Sequence, residues 1–172
     1  MKKLLTGIVA AIMVLSFCVC VGCSGKAEVK GETYSTEVIS AFCPEGWLAA
    51  TKYDMLTSKK TEDGIALYKG AENESEAALC PVVQFTYFPE NKAAANIDNT
   101  RSAYAETEDA PELKFDNYTL TGFISTGGSS KTAILWSEDD GIQVTVEMNR
   151  GSGEITLEDA DVQAILGSFE AK

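Results

Sequence analysis

Cysteines and carboxylates carry most of the reactive chemistry of this 172-residue chain, which has five cysteines, 26 acidic residues and no histidine. Three of the cysteines, Cys18, Cys20 and Cys23, fall within six positions at the end of an apolar run. A zinc site needs further cysteines or histidines at ligand spacing, and a serine or cysteine triad needs a base, usually histidine. We therefore expect no metal site, no cofactor and no catalytic triad.

The amino terminus has the composition of a secretory signal. Lys2 and Lys3 precede a stretch without charged residues that continues to Lys26. A positive flank followed by an apolar segment and small residues is typical of a signal peptide. The alternative is a retained transmembrane helix, since about 20 apolar residues span a bilayer. The small residue and cysteine that end the run favour cleavage.

The tripeptide VGC, which ends at Cys23, resembles the bacterial lipoprotein box, in which the cysteine directly follows the cleavage site. The resemblance implies that residues 1–22 are a signal peptide and that Cys23 carries a diacylglyceryl group. Two acyl chains make a lasting anchor, whereas one binds a membrane only reversibly. The implied location is the extracytoplasmic face of a bacterial cell membrane. We interpret Cys18 and Cys20 as small apolar residues that leave with the signal.

The mature chain implied by this cleavage, residues 23–172, suits one domain. Without Lys2 and Lys3 it has 12 basic and 26 acidic residues, a net charge of −14. Binding to nucleic acid depends on clustered lysine and arginine, so we expect no nucleic-acid partner. Anionic lipid headgroups repel such a domain. The expected partners are the membrane, through the anchor on Cys23, and an unidentified protein or envelope component.

The two remaining cysteines, Cys43 and Cys80, form a possible disulfide, since such bonds persist outside the cytoplasm. Closing this loop of about 37 residues would stabilise the fold by roughly 4 kcal/mol. The alternative is a pair of buried, reduced thiols. Each cysteine precedes a proline, which favours extended backbone at both positions. The sequence is compatible with both states.

Small, polar residues without periodicity predict a lipidated tether over 23–33, followed by a domain over 34–172. Strands are predicted over 34–43, 65–69, 81–88, 117–126, 130–138 and 141–149. We predict a turn at Asp63 and Gly64 and a solvated loop over 71–78. An apolar stripe predicts a helix over 91–106.

The last three predicted strands alternate between apolar and polar residues, and glycine and aspartate lie in their connections, so we expect an antiparallel meander. The closing segment begins with Thr156 and Asp159, which approximate a capping box. An apolar stripe at helical spacing follows and predicts a helix that lies on the sheet. Strands in a run with helices at two places predict an α+β fold.

Four stretches together resemble the PsbP-like fold family: "ISAFCPEGW", "PVVQFTYFP" with the alanine-rich segment after it, the meander, and "DVQAILGSF". The resemblance covers about residues 34–170. It implies an α-β-α sandwich in which helices flank a central antiparallel sheet. It also implies a non-enzymatic role in holding partners or assemblies together, and no functional residues are carried over.

Two groups of acids are candidates for calcium ligands or for the two carboxylates of a glycosidase: Glu138 with Asp140, and Glu106 with Glu108 and Asp109. Solvated acids usually collect at hairpin tips and helix ends, which is where these groups are predicted. The stretch "STGGSSKT", residues 125–132, has some likeness to a phosphate-binding loop. Two serines separate its lysine from the last glycine, so we interpret it as a hairpin turn.

Four aromatic residues either line a ligand groove or belong to the core: Trp47, Tyr87, Phe88 and Trp136. The alternation of Trp136 with Thr132 and Ile134 favours the core. The leading hypothesis is a lipid-anchored, non-catalytic binding or assembly module. The alternatives are a small-ligand or divalent-metal binder with an acidic or aromatic cleft and, third, a carboxylate-based hydrolase.

Overall fold

The computed structural model describes residues 29–54, 59–127, 130–151 and 153–172. The predicted signal peptide, Cys23 and the first part of the predicted tether lie outside the described residues. Within the described ranges, no helix combines the length and the apolar character that crossing a membrane requires.

Nearly half of the described residues lie in antiparallel strands. The strands are β1 (Gly31–Ser35), β2 (Ile39–Pro44), β3 (Trp47–Asp54), β4 (Lys59–Lys69), β5 (Val82–Tyr87), β6 (Thr107–Asp109), β7 (Leu113–Lys114), β8 (Thr119–Ser125), β9 (Thr132–Ser137), β10 (Ile142–Glu147), β11 (Asn149–Arg150), β12 (Gly153–Glu154) and β13 (Glu170–Ala171). The helical segments are α1 (Glu74–Ala77), a 3-10 turn (Lys92–Ala95), α2 (Ile97–Arg101) and α3 (Ala160–Leu166).

The larger sheet has the strand order β3-β4-β5-β10-β9-β8-β6, and the smaller sheet has the order β1-β2-β13. The predicted meander is confirmed, because β8 pairs with β9 and β9 with β10, both antiparallel. Ser125 pairs with Thr132 across the β8–β9 hairpin, so these ends of "STGGSSKT" belong to strands.

Both faces of the larger sheet bury side chains. On the inner face, Val144 and Leu135 pack in one core with residues of β2 and α3. On the opposite face, an outer-face cluster is formed by Ala95, Phe123, Ile134 and Trp136, with Ile97 of α2 packed against it. Because Ile134 and Leu135 are consecutive in a strand, they point to opposite sides of the sheet. The fold is therefore α+β and consists mainly of antiparallel sheet.

The predicted helix over 91–106 is wrong, because the chain forms the 3-10 turn and the five-residue α2 there, and Thr107 already belongs to β6. Asn96 interrupts the helix with an extended backbone conformation, and its side chain accepts the backbone N–H of Asp98. Asparagine competes in this way with helical hydrogen bonds and favours helix starts over helix interiors.

The predicted strand over 34–43 is also wrong as a single element, because it is divided between β1 and β2, which pair with each other. Thr36 makes the turn between them, since its hydroxyl oxygen accepts the backbone N–H groups of Val38 and Ile39. Strand β1 begins at Gly31, so the paired structure extends into the predicted tether.

The predicted turn at Asp63 and Gly64 lies inside β4, where Gly64 pairs with Thr86 of β5. The preceding strand, β3, pairs with β4 and was not predicted. The predicted loop over 71–78 contains α1, whose first backbone N–H groups are capped by the side chain of Asn73.

The closing helix is shorter than predicted, because α3 begins at Ala160, after Asp159. The predicted capping box forms only in part. The Asp159 carboxylate accepts the backbone N–H of Thr156 at 3.3 Å, but the Thr156 hydroxyl donates to that carboxylate at 2.9 Å, and the N-cap of the helix is Asp159 itself. The helix ends at Gly167, where a Cβ atom would lie 2.8 Å from the ring of Phe115. Phe169 follows the helix and is buried, so the apolar stripe outlasts the helix.

Candidate functional site

A cleft of about 350 Å³ opens at one end of the larger sheet, where β5 ends and β10 begins. We call it the aromatic cleft. Its lining residues are Tyr87, Lys92, Asn117, Tyr118, Asp140, Ile142, Phe169, Glu170 and Ala171. They come from five separate places in the chain, and all of them belong to the described residues.

Aromatic rings form one wall of the aromatic cleft. The ring centre of Phe169 lies 5.8 Å from that of Tyr87 and 6.3 Å from that of Tyr118, both of which line the cleft. Behind them, Phe85 lies 5.3 Å from Phe169 and continues the stack into the core. Phe85 and Tyr87 share the inner face of β5 because side chains two residues apart in a strand point the same way.

The position of Phe169 is fixed by its neighbour Ser168. The Ser168 hydroxyl donates to the carbonyl oxygen of Ile165 at 2.7 Å and accepts the backbone N–H of Phe42 at 2.8 Å. These two bonds join the end of α3 to β2. The aromatic wall is therefore attached to both sheets and has little freedom to move.

The hydroxyl group of Tyr118 is bonded within the fold. It donates to the carbonyl oxygen of Leu166 and accepts the backbone N–H of Phe169 at 3.3 Å. Burial, together with the negative charge of Asp140, raises the pKa of Tyr118 well above its ordinary value. At neutral pH the hydroxyl therefore keeps its proton, which is bonded to Leu166, and the side chain presents its ring to the cleft.

Charged groups at the mouth of the cleft are held by the β9–β10 hairpin. The Lys92 ammonium donates to the carbonyl oxygen of Asp139 at 2.8 Å, and the Asp140 carboxylate accepts the hydroxyl of Ser137. Asp140 is half-buried, whereas Lys92 is exposed. One basic side chain and one acidic side chain are thus positioned by the same turn.

Gly141 allows this turn to approach the chain that carries Lys92. Its φ of +70° favours glycine, and a Cβ there would lie 2.8 Å from the carbonyl oxygen of Phe88. The Gly141 carbonyl oxygen in turn accepts the backbone N–H of Phe88 at 2.9 Å.

The structure separates the four aromatic candidates. Tyr87 lines the aromatic cleft. Trp47 and Trp136 are buried, which confirms the core interpretation of Trp136, and Phe88 packs against the outer-face cluster. The indole nitrogen of Trp47 donates to the Asp161 carboxylate at 3.2 Å and links β3 to α3.

The acidic candidates do not converge on one site. Asp140 lines the aromatic cleft, while Glu138 accepts a hydrogen bond from the side-chain amide of Asn96 at 3.1 Å. In the second group, Asp109 lies 2.8 Å from Arg101, Glu108 lies 3.5 Å from Lys131, and Glu106 is exposed. In the part of the chain that the structure describes, no three cysteine or acidic residues group as metal ligands would.

Cys43 and Cys80 are free thiols in the structure, so the possible disulfide between them is not formed. The Cys43 sulfur is buried and lies 3.5 Å from the carbonyl oxygen of Trp47. Burial, with a smaller contribution from the charge of Glu32, raises the pKa of Cys43 to about 11. The half-buried Cys80 sulfur lies 3.5 Å from the carbonyl oxygen of Glu76.

Sequence reasoning missed most residues of the aromatic cleft. Lys92, the adjacent pair Asn117 and Tyr118, and Glu170 lie in three separate segments of the chain. No local spacing connects them, because the topology brings them together. Tyr87 and Asp140 were candidates from the sequence, and the stripe of the closing segment marked Phe169 as apolar and buried.

No protein-family model matches this chain, and no curated protein is significantly similar to it in sequence. The site is therefore interpreted from its own geometry.

Proposed function

We propose that this chain is a lipid-anchored protein on the extracytoplasmic face of a bacterial membrane, and that its domain binds a ligand without catalysing a reaction. The observation that carries the binding role is the aromatic cleft, with rings on one wall and charges at its mouth. Its polar groups are engaged in holding the fold: the Tyr118 hydroxyl, the Lys92 ammonium and the Asp140 carboxylate each bond to neighbouring protein groups. Such a site suits recognition.

A carboxylate-based hydrolase is the competing proposal, because Asp140 and Glu170 line the same cleft. A glycosidase needs two carboxyl groups across one cleft. In a glycosidase, the carboxyl group that acts as general acid is kept protonated by an apolar pocket. Glu170, in contrast, is exposed to solvent. The arrangement therefore favours binding over hydrolysis.

The anchor on Cys23 is proposed from the lipoprotein-like tripeptide VGC. Strand β1 begins at Gly31, so about eight residues separate the proposed lipid from the sheet. The domain and its cleft would then stay close to the membrane surface.

We propose further that the fold is a PsbP-like α-β-α sandwich. The proposal is supported by helical segments on both sides of the larger sheet, with α3 packed in the inner core and α2 against the outer-face cluster.

Native mass spectrometry of the protein extracted from membranes tests the binding role. We expect a bound small molecule on the wild-type chain, loss of that molecule in Tyr87→Ala, and retention in Tyr104→Ala, which removes a ring outside the cleft. The molecule should be released with its mass unchanged after incubation. Release of cleaved products would contradict the proposal.

A further inference from the structure

We infer that the aromatic cleft binds a small zwitterion, a molecule that carries one ammonium group and one carboxylate. The inference rests on the proposed binding function and specifies the class of ligand. It follows from the distribution of charge in the cleft, where aromatic rings and two carboxylates lie beside a lysine and a side-chain amide: Tyr87, Tyr118, Phe169, Asp140, Glu170, Lys92 and Asn117.

The aromatic rings and the acids suit the ammonium end of such a ligand. Cations are attracted to the faces of aromatic rings, and the attraction grows when the site is shielded from water. The ring of Tyr118 is buried with its hydroxyl already bonded, so the cleft offers a ring surface there. Asp140 and Glu170 add negative charge near this wall.

Lys92 and Asn117 suit the carboxylate end. An ammonium group has three donors, and the bond to the Asp139 carbonyl uses one of them. The side-chain amide of Asn117 is exposed and makes no hydrogen bond with the described residues. The two side chains supply N–H donors for a carboxylate, and Lys92 also supplies one compensating positive charge. Hydrogen bonds between charged partners are stronger than those between neutral groups.

Size and overall charge restrict the ligand further. A volume of about 350 Å³ lies at the small end of ligand pockets, so the ligand is a small molecule. A chain with a formal net charge of −12 repels simple anions, and a simple cation leaves Lys92 and Asn117 of the lining without a ligand group to bind. A neutral molecule with separated charges gives both the acidic and the basic groups of the cleft a partner.

Calorimetric titration of the full-length chain in a non-ionic detergent tests the inference. The probes are glycine betaine, choline, which lacks the carboxylate, and 3,3-dimethylbutanoate, which replaces the ammonium with carbon. We expect glycine betaine to bind at least tenfold more tightly than either analogue. Glycine, compared with methylamine and acetate, tests the primary-amine form of the same class. The inference is overturned if neither zwitterion binds, or if an analogue with a single charge binds as tightly.

Substitutions test which residues of the cleft bind the ammonium group of the ligand and which bind its carboxylate. Lys92→Met should weaken binding of the zwitterion about tenfold without weakening binding of choline, whereas Tyr87→Ala should weaken both. Lys131→Met, which removes an exposed lysine outside the cleft, is the matched control and should change neither. Equal losses from Lys92→Met and Lys131→Met would overturn the inference. If native mass spectrometry finds a different bound molecule, the inference fails while the proposed binding function stands.

Discussion

The hydroxyl of Tyr118 donates to the carbonyl oxygen of Leu166, the last residue of α3. Tyr118 directly precedes β8, so this bond joins the larger sheet to the helix that covers its inner face. The same hydroxyl accepts the backbone N–H of Phe169 and thereby sets the aromatic wall of the cleft. Stability and the shape of the cleft therefore depend on one buried oxygen atom.

Tyr118→Phe should lower the free energy of unfolding by about 1–3 kcal/mol, because it leaves a buried carbonyl oxygen and a buried N–H without their partner. Urea unfolding followed by tryptophan fluorescence measures the loss. The control is Tyr34→Phe, since the Tyr34 hydroxyl bonds the Thr51 hydroxyl at 2.8 Å in a less buried setting. Equal losses in the two variants would contradict the role assigned to Tyr118.

Substitution by phenylalanine should destabilise the fold to different extents at the two tryptophans. Trp47→Phe removes the indole N–H that donates to the Asp161 carboxylate. The indole nitrogen of Trp136, in contrast, is buried without a hydrogen-bond partner among the described residues. Both variants lose ring volume, but only Trp47→Phe also loses a hydrogen bond to a charged group, worth about 1.5–3 kcal/mol. Thermal unfolding should show the larger loss for Trp47→Phe. A larger loss for Trp136→Phe would refute this assignment.

The thiols should differ in reactivity. In the native protein an aromatic disulfide reagent at pH 8 should label Cys80 and leave Cys43 unlabelled until the chain unfolds, because Cys43 is buried and stays protonated. Peptide mapping after alkylation gives the site of labelling. Rapid labelling of Cys43, or a bridge between the two cysteines, would contradict the structure.

The raised pKa of Cys43 also predicts a pH dependence of stability. The unfolded thiol has its ordinary pKa of 9.0, while burial raises the pKa of the folded thiol to about 11. Between these values the unfolded state binds fewer protons, so the free energy of unfolding falls as pH rises. Denaturant midpoints from pH 8 to 11 should fall more steeply for wild type than for Cys43→Ala. Parallel curves would show that this thiol does not contribute.

Alanine substitutions at two glycines with positive φ distinguish the cost of backbone strain from the cost of a steric clash. Gly46 has a φ of +83° and nothing within 4 Å of an added Cβ, whereas at Gly141 an added Cβ would lie 2.8 Å from the Phe88 carbonyl oxygen. Gly46→Ala should cost about 1 kcal/mol from strain alone. Gly141→Ala should cost more and weaken ligand binding, because Lys92 must move. Unchanged binding in Gly141→Ala would contradict the link between this turn and the cleft.

The sequence predicted the elements whose pattern is local. Ile142, Val144 and Val146 alternate with polar residues, and the meander that contains them formed as expected. The predicted helix over 91–106 does not form, because an apolar stripe indicates which residues are buried and does not determine the backbone conformation. The stripe residue Ile97 is half-buried and packs against the outer-face cluster from the five-residue α2.

Local sequence patterns could not predict the aromatic cleft, and the reason is physical. Tyr87 and Phe169 meet only because β5 and the end of α3 share the inner face of the larger sheet. Nothing in the spacing of the 81 intervening positions encodes that contact. The hairpin β3–β4 was missed because Gly64, a common turn residue, lies within a strand opposite Thr86.

Mass spectrometry of the mature polypeptide from a bacterial membrane fraction tests the proposed lipid anchor. We expect an amino-terminal peptide that begins at Cys23 and carries a diacylglyceryl group on its sulfur. Cys23→Ser should abolish the modification and release the domain from the membrane. A wild-type chain that begins at Met1, or that starts at Cys23 without lipid, would contradict the anchored binding protein proposed above.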